Sequence, residues 1–193
     1  SMSSTRRELL AVLSISRTRV VFGAGTLAEL GAITKREGGG HVLLGTDPGI
    51  VATGHVDRAV ASLRNAGLEV TVFDGVEENP TTLHVDAGVK HARQHSIDFL
   101  VGLGGGSAMD VAKGVAVLVT HGGGVLDYEG IGKVPGPTVP VICLPTTAGT
   151  GSEVTQFTVI TDRGRHFKLT VGSPYVVPTA DVCDPNLTMS MPQ

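Results

Sequence analysis

The stretch GGGSAMDVAK at 104–113 follows one apolar run, 97–103, and opens another, 111–119. An apolar run, a glycine cluster and a second apolar run read as buried strand, tight turn and helix. Gly104, Gly105 and Gly106 carry no Cβ, so the backbone can approach a ligand and adopt φ values that other residues avoid. The helix that follows presents unpaired N–H groups and the positive end of its dipole, which together favour an anion such as a phosphate. Ser107 and Asp110 have capping-box spacing, which predicts a helix start fixed by the sequence itself. A strand–helix turn without a ligand is the plain alternative for this segment taken alone.

A second stretch, PTTAGTGSEVT at 145–155, follows the strand-like run 139–144. Its small and polar residues can bond a ribose or an amide, and open α/β sheets place ligands beyond the carboxyl ends of their strands. Together the two stretches resemble the N-terminal motifs of the iron-containing (group III) alcohol dehydrogenase family, and the resemblance runs from Val20 to the last residue.

That resemblance implies an α/β fold: a Rossmann-like parallel sheet with helices on both faces and a β-hairpin near the C-terminus, like the N-terminal domain of dehydroquinate synthase. It implies the NAD-binding portion of a metal-dependent alcohol dehydrogenase that moves hydride between a small alcohol or aldehyde and NAD(H). The cofactor-binding positions it points to are Asp47, Asn79, Gly104, Gly105, Gly106, Ser107, Asp110, Thr146, Thr147, Thr150, Ser152, Thr155, Phe157, Lys168 and Leu187. The metal, Fe2+ or Zn2+, is expected in the full-length enzyme only. Its ligands, an Asp and three His, belong to a helical domain expected beyond Gln193, so no catalytic or metal-binding residue is assigned here and the chain alone is expected to be inactive. Glycerol dehydrogenase and maleylacetate reductase share the fold. The GSEVT segment favours the alcohol dehydrogenase branch over the first and separates it poorly from the second. A stand-alone NAD(H)-binding module without catalysis is a further reading.

Several positions also carry a meaning of their own. GAGTLA at 23–28 fits the G-x-G-x-x-G/A fingerprint, and Asp47 ends the next strand about twenty residues on. The later glycine cluster is the preferred phosphate site. Asp47 suits either reading, because a strand-end carboxylate accepts ribose hydroxyls and repels a 2′-phosphate, favouring NAD over NADP; an exposed turn residue before Pro48 is the alternative. Thr155 and Phe157, two apart on a strand, share a face. Phe157 is expected to pack on a cofactor ring or else in the core. Lys168 reads as a point charge near ribose or phosphate, or as a surface lysine. His84, His91 and His95 read as the solvated face of a helix, because the glutamate of H-E-x-x-H is missing. Glu153 is expected to bond loop amides. Neither a Walker-type loop nor a Ser–His–Asp arrangement is legible.

Apolar runs at 19–22, 41–45, 69–73, 97–103 and 139–144 read as strands, with helical patterns at 26–36, 50–66, 81–95 and 107–120. Alternation of the two predicts a parallel sheet. Runs 153–161 and 166–171 flank Asp162, Arg163 and Gly164 as a hairpin, and 181–188 reads as a strand running into a turn. Neither a repeat nor a linker interrupts the 193 residues, so one domain is expected, with 1–4 the remnant of a tag.

Net charge is −3 with no basic block, which argues against a nucleic-acid partner. No apolar run is long enough to span a bilayer, so no membrane partner is expected. Cys143 and Cys183, isolated in apolar surroundings, suit a reducing compartment, and the cytoplasm is the expected location. Apolar surface left where a helical domain would pack makes a homo-oligomer possible.

Overall fold

The computed structural model describes residues 18–147 and 155–188. Among these, nine strands follow in order: β1 (Arg19–Phe22), β2 (His41–Gly45), β3 (Glu69–Phe73), β4 (Phe99–Gly104), β5 (Gly130–Ile131), β6 (Val141–Pro145), β7 (Phe157–Asp162), β8 (Phe167–Gly172) and β9 (Ala180–Cys183). The helices are α1 (Leu30–Arg36), α2 (Pro48–Ala52), α3 (His55–Asn65), α4 (Thr82–Gln94), α5 (Gly106–His121) and α6 (Pro185–Thr188).

Six strands form one sheet in the order β1-β9-β6-β4-β2-β3. Every neighbouring pair in it is parallel. Both faces are covered, so its central strands are apolar throughout: β4 and β6 are buried at every position. Side chains alternate between two cores. Leu43 joins the core under α4 and α5, while its neighbours Val42 and Leu44 join the one under α1 and α3. Helix α5 is the most deeply buried helix among those described, with Ala108, Met109 and every residue from Val111 to Leu118 enclosed. A helix apolar on all sides is stable only in such a place. A smaller sheet, β5-β8-β7, packs on the far side of α5; β7 and β8 are its antiparallel hairpin.

The expected α/β architecture is present, with four local differences. The helix expected over 50–66 is two helices, because Gly54 takes φ +84, a left-handed conformation that ends the first and starts the second. The hairpin strands are shifted to Phe157–Asp162 and Phe167–Gly172, with the two-residue β5 added beside β8. Helix α5 starts at Gly106 with Gly105 as its N-cap and no side-chain cap, so Ser107 and Asp110 do not form the expected capping box. The glycines allow the helix to begin one residue early, which places Ser107 inside the first turn. The histidines of α4 are not a uniformly solvated face. His84 Nδ1 accepts from the Thr81 N–H at 2.9 Å, closing the cap of α4, and its Nε2 lies 3.4 Å from Glu77. His91 packs its ring 5.1 Å from that of Phe73, and only His95 is exposed.

Candidate functional site

Strands β6, β4 and β2 lie side by side in the middle of the sheet, and their carboxyl ends carry the polar residues. The chain leaving β2 turns into α2 and α3, whose Ile50, Val56 and Leu63 pack on one face of the sheet. The chain leaving β4 turns into α5, whose Met109, Val111 and Val115 pack on the other. Two adjacent strands whose connections part to opposite faces open a crevice between them. A cleft of about 780 Å³ occupies that place, lined by Asp47, Thr53, Glu77, Glu78, Gly105, Gly106, Ser107, Thr146 and Thr147 among others. The Thr46 carbonyl accepts from the Val76 N–H at 3.2 Å, which brings Glu77 and Glu78 to the rim.

Asp47 is fixed by its own helix. Its Oδ1 accepts the Ile50 N–H at 2.9 Å as the N-cap of α2, with Pro48 at the first helical position. Gly104 forms the floor between Asp47 and α5. Its φ is +151, and a Cβ there would lie 3.0 Å from the Ala108 Cβ and 3.6 Å from Asp47 Oδ2. Any larger residue would be strained and would fill the crevice. Gly105 and Gly106 then start α5, and the N–H groups of its first turn have no intrahelical partner. Across from them, Thr146 is held by its N–H to the Gly104 carbonyl at 2.8 Å. The hydroxyls of Thr46, Thr146 and Thr147 are buried without a hydrogen-bond partner among the described residues. Buried hydroxyls are rarely left so unless a ligand or ordered water meets them. A helix start, a ring of small residues and orphaned hydroxyls make a site for an anionic, polyhydroxylated ligand.

Of the residues singled out in the sequence, Asp47, Gly105, Gly106, Ser107, Thr146 and Thr147 line this one cleft, with Gly104 beneath. Asp110, Thr155, Phe157 and Lys168 gather instead on the flank of α5 that faces the hairpin. Burial pushes the Asp110 carboxyl up to about 6, against the opposing pull of Lys113, the Val159 backbone, the Thr158 hydroxyl and Lys168. Asn79 stands exposed before α4 with φ +52. Leu187 is buried in the core under α1 and α3, beside a separate pocket formed with Gly25, Arg58 and Asp184. Thr150, Ser152 and Glu153 lie outside the described residues. Sequence reasoning missed Lys113, although a lysine inside the apolar run 111–119 is itself a signal.

The earlier glycine turn, 23–28, resolves differently. Asp184 Oδ1 accepts the Gly25 N–H and Oδ2 accepts the Leu27 N–H, both at 3.1 Å. A carboxylate of the chain itself therefore fills the anion position there. This second glycine turn ties the end of β9 to the start of the fold.

A family model for iron-containing alcohol dehydrogenases matches residues 17–185. The chain belongs to this family. It is 41% identical over 172 residues to alcohol dehydrogenase 4 of Schizosaccharomyces pombe, covering 89% of this chain and 41% of that protein. It is 38% identical to the NAD-dependent methanol dehydrogenase of Bacillus methanolicus, covering 89% of this chain and 45% of that protein. Among solved structures, a 1,3-propanediol oxidoreductase superposes with a TM-score of 0.88 at 37% identity, covering 90% of this chain and 46% of the other. The chain thus spans less than half the length of the curated relatives it matches. Iron-containing relatives invite the question of a metal centre, and the residues described here do not supply one: no three His, Cys, Asp or Glu side chains gather where one ion could bind them all. Cys143 and Cys183 form no disulfide, and the Cys183 thiol donates to Asp181 at 3.2 Å. No helix among the described residues is long and apolar enough to cross a membrane.

Proposed function

We propose that this chain is the dinucleotide-binding portion of an NAD-dependent, metal-dependent alcohol dehydrogenase and binds NAD(H) in the cleft between β2 and β4. The observation that carries the reading is the convergence of the open α5 start, Asp47 and the orphaned Thr146 and Thr147 hydroxyls on one crevice. In this reading the first-turn N–H groups of α5 take the pyrophosphate, and the Asp47 carboxylate accepts the hydroxyls of the adenosine ribose. Thr146 and Thr147, with Thr155 and Phe157, hold the nicotinamide half, and Lys168 adds a positive charge at its edge. The cofactor supplies the hydride chemistry. This chain's residues bind it, orient it and exclude its 2′-phosphorylated analogue.

The substrate is a small alcohol or aldehyde, in keeping with the alcohol, methanol and propanediol enzymes that the chain resembles. In the same reading the metal, iron or zinc, is held by the remainder of such an enzyme. A cytoplasmic setting is part of the same proposal, argued from two isolated cysteines in apolar stretches of the sequence. Calorimetric titration with NAD+ tests the reading, with saturable binding at one site per chain as the expected result. Absence of binding overturns it. The same preparation, supplied with Fe2+ or Zn2+ and a short-chain alcohol, is expected to give no NADH; measurable turnover would contradict the assignment of the metal centre to another part of the enzyme.

A further inference from the structure

Lys113 is 1% exposed, in the middle of the most deeply buried helix of the molecule. An ammonium placed there is costly unless it is fully bonded. Its Nζ donates to the Thr155 carbonyl at 3.0 Å, the Phe157 carbonyl at 3.1 Å and the Thr155 hydroxyl at 3.3 Å. All three acceptors belong to one short piece of chain, the stretch that leads into β7. Asp110, one turn earlier on the same helix, supplies an opposite charge beside it. An apolar side chain of similar length would fill the space more cheaply. A buried charge held by main-chain carbonyls acts instead to fix where that chain runs.

The same helix opens in the cleft. Gly106 and Lys113 are seven residues apart, about 10 Å along the axis. From its other side, the 155–157 segment is seated by Phe157, whose ring lies over Gly172; a Cβ on that glycine would stand 2.7 Å from Phe157 Cε1. We infer that Lys113 is a positioning residue of the cofactor site, which ties the Thr155–Phe157 segment to the phosphate-holding helix so that both halves of the dinucleotide meet one rigid frame. The inference rests on the NAD(H) reading above. Lys113 itself does not touch the cofactor in this account; it acts through the two residues that it holds.

The test compares two ligands that differ in the nicotinamide ring, NADH and ADP-ribose, by calorimetry on the whole chain. The parent is expected to bind NADH about tenfold more tightly than ADP-ribose. Lys113→Met is expected to lose about tenfold in NADH affinity and less than about twofold in ADP-ribose affinity. A side chain that served only packing would weaken both ligands alike. Should Lys113→Met not fold, Lys113→Gln keeps an uncharged amide donor at the same place and is expected to show the same selective loss, at about two- to threefold. Equal losses for the two ligands in the folded variants, or equal affinity of the parent for both, overturns the positioning role while leaving the cleft assignment intact. A parent that binds neither ligand overturns the cleft assignment itself, and the positioning role falls with it.

Discussion

The chain has two glycine-rich turns that run from a strand into a helical start, and they have opposite fates. At 23–28 the free N–H groups meet the carboxylate of Asp184, 3.1 Å from both Gly25 and Leu27. At 104–107 the corresponding groups face an open cleft with orphaned threonine hydroxyls around it. The first follows an edge strand, β1; the second follows β4, in the middle of the sheet where the connections part. A glycine fingerprint therefore specifies a place for an anion, and the surrounding topology decides whether that anion is a side chain or a ligand.

Removing the internal anion should have the largest effect on the protein itself. Asp184→Ala strips the charged acceptor from three buried or half-buried N–H groups, those of Gly25, Leu27 and Asn186, and is expected to cost about 2–4 kcal/mol in a denaturant titration. The molecules that remain folded should keep the NADH affinity of the parent. A loss of NADH binding at full stability would mean that the first turn serves the ligand after all.

On the other flank of α5, Asp110 gives a pH-dependent prediction. Its carboxyl is pushed up to about 6, so the folded state holds a proton that the unfolded state has already released. The stability this contributes is complete below the ordinary carboxylate range and is lost as pH rises through about 6. Asp110→Asn removes that loss, so the variant should gain about 1–3 kcal/mol on the parent between pH 4 and 7.5. A difference between the two that does not change with pH would contradict it.

The smallest expected effect is on selectivity. Asp47→Asn keeps a good N-cap for α2 and removes the charge, so stability should hold. The NADH:NADPH affinity ratio should fall by about tenfold. An unchanged ratio would mean that the discriminating charge lies elsewhere, with Glu77 and Glu78 on the rim the next positions to change.

Much of the scaffold was legible because its signals are local. The buried strands and the glycine turn before α5 follow from apolar runs and punctuation, and the ends of β2, β4 and β6 carried the cleft residues in plain view. What was not legible depends on distant partners. No pattern in 23–28 announces that a residue about 160 positions later will occupy it. The break at Gly54 was hidden because helical periodicity continues on both sides, while a left-handed φ is a property of the folded chain. Lys113 went unassigned because its partners, the carbonyls of Thr155 and Phe157, lie more than forty residues further along the chain. His84 closes a cap that spacing alone assigns to glutamate or glutamine.

The most direct test exchanges the two turns. Gly25→Val and Gly105→Val are titrated with NADH, following the cofactor's fluorescence in a chain that has no tryptophan. Gly25 has φ +81 with open space around it, so valine there should cost about 1–2 kcal/mol of stability and leave binding unchanged. At Gly105 a Cβ meets Thr147 only at ordinary contact distance, so valine should be tolerated by the fold. Its methyl groups would occupy the anion position and lower NADH affinity by about a hundredfold or more. Loss of binding in the Gly25 variant, with retention in the Gly105 variant, would place the nucleotide at the edge of the sheet beside β1 and contradict the cleft between β2 and β4.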